Sequence, residues 1–214
     1  MTEAAGAVAD AAKGRIAGGA IVFVVGPSGA GKDTLIRLAK AHFAGNERIV
    51  FPRRLITRPS DRHEDHESID AAGLKARIAA GDVALSWRAH GLDYAVPGSV
   101  DAAVASGRVV VVNVSRRIIP EALAKYARTV VVHVTAPASV LAERLKSRGR
   151  ETADDVAGRL DRAEGGGQPE GPNVIVINNV GDPAIAARRL IDLVAGLKAA
   201  TAREIRIHDD DGLH

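Results

Sequence analysis

Gly26 to Asp33 read GPSGAGKD and follow the apolar run AIVFVV. Glycines at 26, 29 and 31 allow a tight, partly left-handed path that turns backbone N–H groups toward phosphate oxygens. The start of the helix expected next adds its partial positive charge. Gly26, Pro27, Ser28, Gly29, Ala30, Gly31 and Lys32 thus fit a loop that cradles the phosphates of ATP, with Lys32 reaching the β- and γ-phosphates as a catalytic cation. The last place departs from the pattern G-x-x-x-x-G-K-[ST]. A hydroxyl that ligates Mg²⁺ is expected there, and the chain has Asp33 followed by Thr34. A carboxylate is a stronger hard-oxygen ligand, but it repels a nucleotide unless a cation lies between them. Two unit charges about 4 Å apart interact by roughly 4 kcal/mol at an effective dielectric near 20, enough to govern binding. Asp33 is therefore expected to serve Mg²⁺, directly or through a bound water. The alternative has Asp33 complement the helix dipole while Thr34 supplies the hydroxyl.

Two groups of arginines lie elsewhere in the chain. Arg53, Arg54, Arg58 and Arg62 crowd FPRRLITRPSDR, and Arg144, Arg148 and Arg150 precede a later expected helix that carries Arg159. Planar guanidinium forks hold phosphate oxygens two at a time, which suits a phosphorylated acceptor; the bland reading is a solvated basic edge. Arginines that close over a transferring phosphoryl group stabilise the charge that gathers there. Arg144 also has the spacing of an ordinary solvated helix residue. The hydroxyl of Tyr94 can donate to an acceptor phosphate or be satisfied in a core. Asn113 and Ser115 end an apolar run, the place where ligands of open α/β sheets bind, and Ser115 is expected near the acceptor. Trp87, the only tryptophan, suits a core anchor equally well.

These residues need a scaffold, and 214 residues suffice for one domain with a substantial core. Strand-length apolar runs at Ala20–Val25, Val83–Trp87, Val109–Val114, Thr129–Val134 and Val174–Ile177 alternate with helical patterns. The helices are expected at Lys32–Phe43, Asp70–Ala80, Ser99–Ser106, Ile119–Tyr126, Ala138–Lys146, Thr152–Ala163 and Pro183–Lys198. The alternation predicts an α/β fold with a mostly parallel sheet flanked by helices. The expected domain spans 19–199, with an acceptor region at about 50–97 and a lid at about 147–172. Residues 1–18 read as a flexible extension and 200–214 as a loose tail. HDDDGLH in that tail has metal-ligating types in His208, Asp209, Asp210, Asp211 and His214, although a solvated polar end is the preferred reading.

Without cysteine there is no disulfide, thiolate catalysis or cysteine-type zinc site. A net charge of +3 does not call for a nucleic-acid partner. No segment has the apolar length of a signal or a membrane span, so a cytoplasmic protein with a small-molecule substrate and no membrane partner is expected. The oligomeric state is not set by the sequence.

GPSGAGKD resembles the phosphate loop of guanylate kinases, RRLITRPSDR their TTRxPR segment and HGLDYAVP their GxYYGTP segment. LAERLKSRGRE with DDVAGRL resembles their arginine-bearing lid, and VIVINN their last core strand. The similarity covers about residues 19 to 198 and implies a P-loop nucleotide-kinase fold with acceptor-binding and lid insertions. It also implies that Arg148 and Arg159 are the catalytic lid pair, that Arg144 helps bind ATP, and that Arg54, Arg58, Arg62, Tyr94 and Ser115 bind the acceptor. The acceptor side departs from guanylate kinases. VVNVSRR puts Ser115 where they carry an acid for guanine, and EDH, Glu64 to His66, lacks their tyrosine. With GKD, ALSWRAHGLDY and RGRE, the chain is more similar to the ribose 1,5-bisphosphate phosphokinases of bacterial phosphonate breakdown. That resemblance implies ATP-dependent, Mg²⁺-assisted phosphorylation of a sugar bisphosphate to phosphoribosyl diphosphate, with Glu64 and His66 in the acceptor pocket. Guanylate kinase activity is the alternative, and a non-catalytic guanylate-kinase-like binding module is a lesser one, disfavoured by the intact Lys32 and glycines.

Overall fold

The computed structural model describes residues 14–59, 65–147, 169, 171 and 173–210, with side chains for all of these except 145–147 and 198–210. Five parallel strands form the main sheet: β1 (Ala20–Val25), β2 (Ile49–Val50), β7 (Val109–Asn113), β8 (Thr129–Thr135) and β9 (Val174–Asn178). Their order is β2-β7-β1-β8-β9, so β1 lies in the middle. All six residues of β1 are buried because side chains alternate between two covered faces. Ala20, Val22 and Val24 pack beneath α1 (Lys32–His42) and α6 (Pro183–Asp210). Ile21, Phe23 and Val25 join the opposite core with α3 (Ser99–Ala105) and α4 (Ile119–Lys125). The helix α5 (Ala138–Ser147) follows β8.

A second sheet has the order β4-β3-β6-β5, from β3 (Arg54–Ile56), β4 (His66–Ser68), β5 (Val83–Ala89) and β6 (Leu92–Pro97). Leu55 and Ala95 pack on Leu74 of α2 (Ala71–Ala79), while Leu85 and Val96 tie this sheet into the main core. Apolar runs do not mark β2, β3, β4 or β6, because these strands are short or carry Arg54, His66, Asp93 and Pro97. His90 and Gly91 turn β5 into β6 with φ of 53° and 75°. Both signs suit a two-residue hairpin turn, but histidine is an unusual residue for its first position.

The ends of the domain differ from the sequence reading. Ile16, inside the segment expected to be a loose extension, forms a parallel bridge with Tyr126. The last helix continues past Lys198 to Asp210, into the segment read as a tail. The stretch AATAREIRIHDD contains neither glycine nor proline, so no stop signal occurs until Gly212. The expected helix Thr152–Ala163 lies outside the described residues. Among the described residues, no helix is long and apolar enough to cross a membrane.

Candidate active site

The loop leaves β1 at Gly26, whose φ is 142°. A Cβ at that position would overlap the Val134 carbonyl oxygen of β8, so the loop backbone lies directly against the neighbouring strand. Gly31, at φ 88°, caps α1 without a side-chain hydrogen bond, leaving the first-turn N–H groups for an anion. Two side chains from distant elements brace the loop. Asn179, which is buried, donates from Nδ2 to the Ala30 carbonyl at 2.7 Å and crowds the space beside Gly31. Arg144 of α5 donates to the Gly29 carbonyl at 3.5 Å, which brings it to the loop rather than into solvent. The Lys32 ammonium folds back on the carbonyls of Gly26 at 2.9 Å and Pro27 at 2.8 Å. Phosphate oxygens would replace these acceptors when a nucleotide binds.

Asp33 occupies the first turn of α1 and is partly exposed. Its Oδ1 accepts from Asn113 Nδ2 at 2.8 Å and lies 3.7 Å from Arg54 Nη2. Arg54 comes from the second sheet and is only 8% exposed. The expected acceptor arginine and the unusual loop carboxylate are therefore neighbours. Thr34 lies beside them, half-buried in the same turn.

Arg53 and Arg54 take different partners, because β3 begins at Arg54 and adjacent side chains of extended backbone point apart. Arg53 Nε lies 2.8 Å from Asp65, and Lys40 holds the other oxygen of that carboxylate at 2.8 Å. The Lys40 hydrogen bond is the main cause holding the Asp65 carboxyl below its usual range, with burial opposing and Arg53 assisting. Arg58 is half-buried, and its carbonyl accepts from Ser68 at 2.8 Å with the His66 ring nitrogen at 3.4 Å. His66 is fully buried on β4. Its ring nitrogen faces the Arg58 carbonyl from the interior. Tyr94 sits opposite Trp87 across β5 and β6, with ring centroids 5.4 Å apart and planes at 5°. Ser115 lies just past β7, where its oxygen accepts from the Arg117 N–H at 3.3 Å and caps a 3₁₀ turn, Arg116–Ile118. Arg62, Glu64, Arg148, Arg150 and Arg159 lie outside the described residues.

Three residues here drew no role from their sequence context. Asn179 was visible only as part of VIVINN. Arg116 follows Ser115 and is half-buried, and desolvation lowers the affinity of its guanidinium for the proton. His133 of β8 pairs in register with Val25, is 3% exposed, and among the described residues has no hydrogen-bond partner on either ring nitrogen. Burial first, then the Arg116 and Lys32 cations, push its pKa below the ordinary value. Alternation along β8 hides it among valines.

A parallel sheet carrying this glycine loop at its central strand, joined to a second sheet that brings an arginine to the loop, has the architecture of a P-loop kinase. Guanylate kinase from Anaplasma phagocytophilum aligns over 86% of this chain and 88% of that one, with a TM-score of 0.60 and 16% identity. No protein-family model matches the chain. Sequence relatives are closer. Ribose 1,5-bisphosphate phosphokinase PhnN of Methylobacterium radiotolerans is 51% identical over 173 residues, 81% of this chain and 96% of the relative. The proteins of the same name from Burkholderia pseudomallei and Rhodopseudomonas palustris are 45% and 43% identical, over 83% and 88% of this chain and 96% and 94% of theirs. The chain belongs to the ribose 1,5-bisphosphate phosphokinase family.

Proposed function

We propose that the chain transfers the γ-phosphoryl group of ATP to the 1-phosphate of ribose 1,5-bisphosphate, forming 5-phosphoribosyl 1-diphosphate and ADP. The observation that carries this reading is the meeting of loop and acceptor sheet at Asp33 and Arg54, 3.7 Å apart. It gives a donor loop and a buried phosphate-binding cation a common border. The names of the relatives supply the sugar bisphosphate. Ser115, which caps the 3₁₀ turn, fits an acceptor without a base, since no acid stands there to pair with guanine.

An oxygen of the acceptor phosphate attacks the γ-phosphorus, and the bond to the oxygen bridging the β- and γ-phosphates breaks. That attacking oxygen is already ionised near neutral pH, so no strong base is needed. Lys32 and the loop N–H groups hold the donor phosphates. Arg54, Arg58 and Arg62, with the Tyr94 hydroxyl, orient the acceptor, and Arg148 and Arg159 close over the moving phosphoryl group while Arg144 steadies the loop. Among the described residues no three His, Asp or Glu side chains gather as a metal site. This suits Mg²⁺, which takes one or two protein carboxylates and fills its shell with phosphate oxygens and water. Asp33 is the carboxylate available beside the loop, and a bound Mg²⁺ would neutralise charge on the β- and γ-phosphates.

The test is kcat/KM for ribose 1,5-bisphosphate and for GMP at one Mg·ATP concentration. A preference for the sugar bisphosphate on the order of 10⁴ is expected, since a base pocket lacking its acid leaves polar groups of guanine unpaired. Equal use of GMP would overturn the assignment in favour of guanylate kinase activity.

A further inference from the structure

Phosphate-loop enzymes hold their divalent cation with a neutral hydroxyl on the loop helix and an acid carried by a neighbouring strand. This chain has an acid on the helix, Asp33, and Asn113 as the last residue of β7, the strand paired with β1 in the register Val24↔Asn113. Alternation along β7 puts Asn113 on the face of Val109 and Val111, which pack with Leu35 of α1. Asn113 is 8% exposed, and its amide donates to Asp33 Oδ1 at 2.8 Å.

We propose that Asp33 and Asn113 are a transposed cation pair, with the carboxylate moved from strand to loop helix and the neutral partner moved from helix to strand. The proposal rests on the kinase reading above. Two carboxylates in such contact could not both ionise, so an acid at 33 requires a donor at 113. The amide then fixes the orientation of the carboxylate. Arg54 approaches the same oxygen, Oδ1, so Oδ2 is the atom left for a cation. The pair thus carries a single negative charge, as the usual arrangement does, from the opposite side of the crevice. Asn113 is by this account a positioning residue, acting through Asp33.

The experiment compares wild type, Asp33→Ser, Asn113→Asp and the double variant Asp33→Ser/Asn113→Asp. Calorimetry reads ADP affinity with Mg²⁺ and with EDTA, and urea unfolding reads the nucleotide-free proteins in EDTA and in Mg²⁺. In wild type Mg²⁺ should raise ADP affinity by about tenfold or more, a typical coupling between two bound species. Asp33→Ser should lose most of that enhancement. Asn113→Asp should unfold at lower urea in EDTA, and Mg²⁺ should restore its midpoint. The double variant should regain the enhancement to within about threefold of wild type, because the positions are coupled rather than additive. The side-chain exchange Asp33→Asn/Asn113→Asp, which keeps an acid facing an amide, carries the same expectation if Asn113→Asp alone does not fold. Double variants no better than Asp33→Ser would overturn the transposition while leaving nucleotide binding intact. Wild type that binds no ADP in either condition would instead sink the kinase reading beneath it.

Discussion

The donor loop occupies eight consecutive residues and is braced mainly through its backbone, by the Val134 carbonyl, the Asn179 amide and Arg144. The second sheet combines backbone contacts, such as Ser68 on the Arg58 carbonyl, with side chains that meet one another: Arg54 with Asp33, Arg53 with Asp65, Trp87 on Tyr94. A loop fixed through its backbone accepts few changes at its glycines. A region assembled from separate strands can change one contact at a time, and it is there that the sequence departs from the guanylate-kinase segments.

The largest effect should come from Lys32→Ala. Losing a cation aimed at developing charge should lower kcat about 10²- to 10³-fold, read at saturating substrates. A loss confined to the KM for ATP would make the loop a passive cradle and weaken the contrast. Gly26→Ala comes next, since both the φ of 142° and the Val134 carbonyl exclude a side chain. It should lower the unfolding free energy by about 3 kcal/mol in urea titrations. A cost below about 1 kcal/mol would mean that the loop yields more easily than its backbone contacts imply.

Arg54→Ala tests the other half of the comparison. It should raise the acceptor KM by about 10- to 100-fold and change the ATP KM by less than about threefold, as expected for one charged hydrogen-bonding group. Equal increases in both would assign Arg54 to the donor loop through Asp33. Tyr126→Phe sets a baseline remote from both regions. The Tyr126 hydroxyl donates to Asp101 at 2.6 Å, and burial together with that carboxylate pushes its pKa up. Its loss should cost about 1–2 kcal/mol of stability with kinetics unchanged.

The smallest effect concerns His133 and pH. Its folded pKa lies below the ordinary 6.5, so the unfolded chain takes up the proton first as pH falls. The neutral imidazole therefore contributes its full stability above about pH 7 and loses it as pH drops from about 6.5 toward the folded value. Relative to wild type, His133→Leu should be more stable at pH 5 than at pH 8, by about 1 kcal/mol or less in urea unfolding. Parallel pH profiles would show that neither burial nor the nearby cations disfavour the protonated ring.

The sequence by itself determined the loop, the buried strands of the main sheet and most helices, because each depends on residues close in the chain. Glycine at a left-handed position, a β-branched run covered on both faces and a helical period are local constraints. Tertiary structure decided what the unusual residues touch. Asp33 meets Asn113 across 80 positions, and Asn179 reaches Ala30 across 149, only because β7 and β8 flank β1 and β9 follows on. Arg53 and Arg54 are equivalent by sequence, yet one faces Asp65 and the other Asp33, since a three-residue strand too short to be seen in the sequence begins between them. Periodicity conceals such strands because their pairing partners, not their own apolar content, hold them in place.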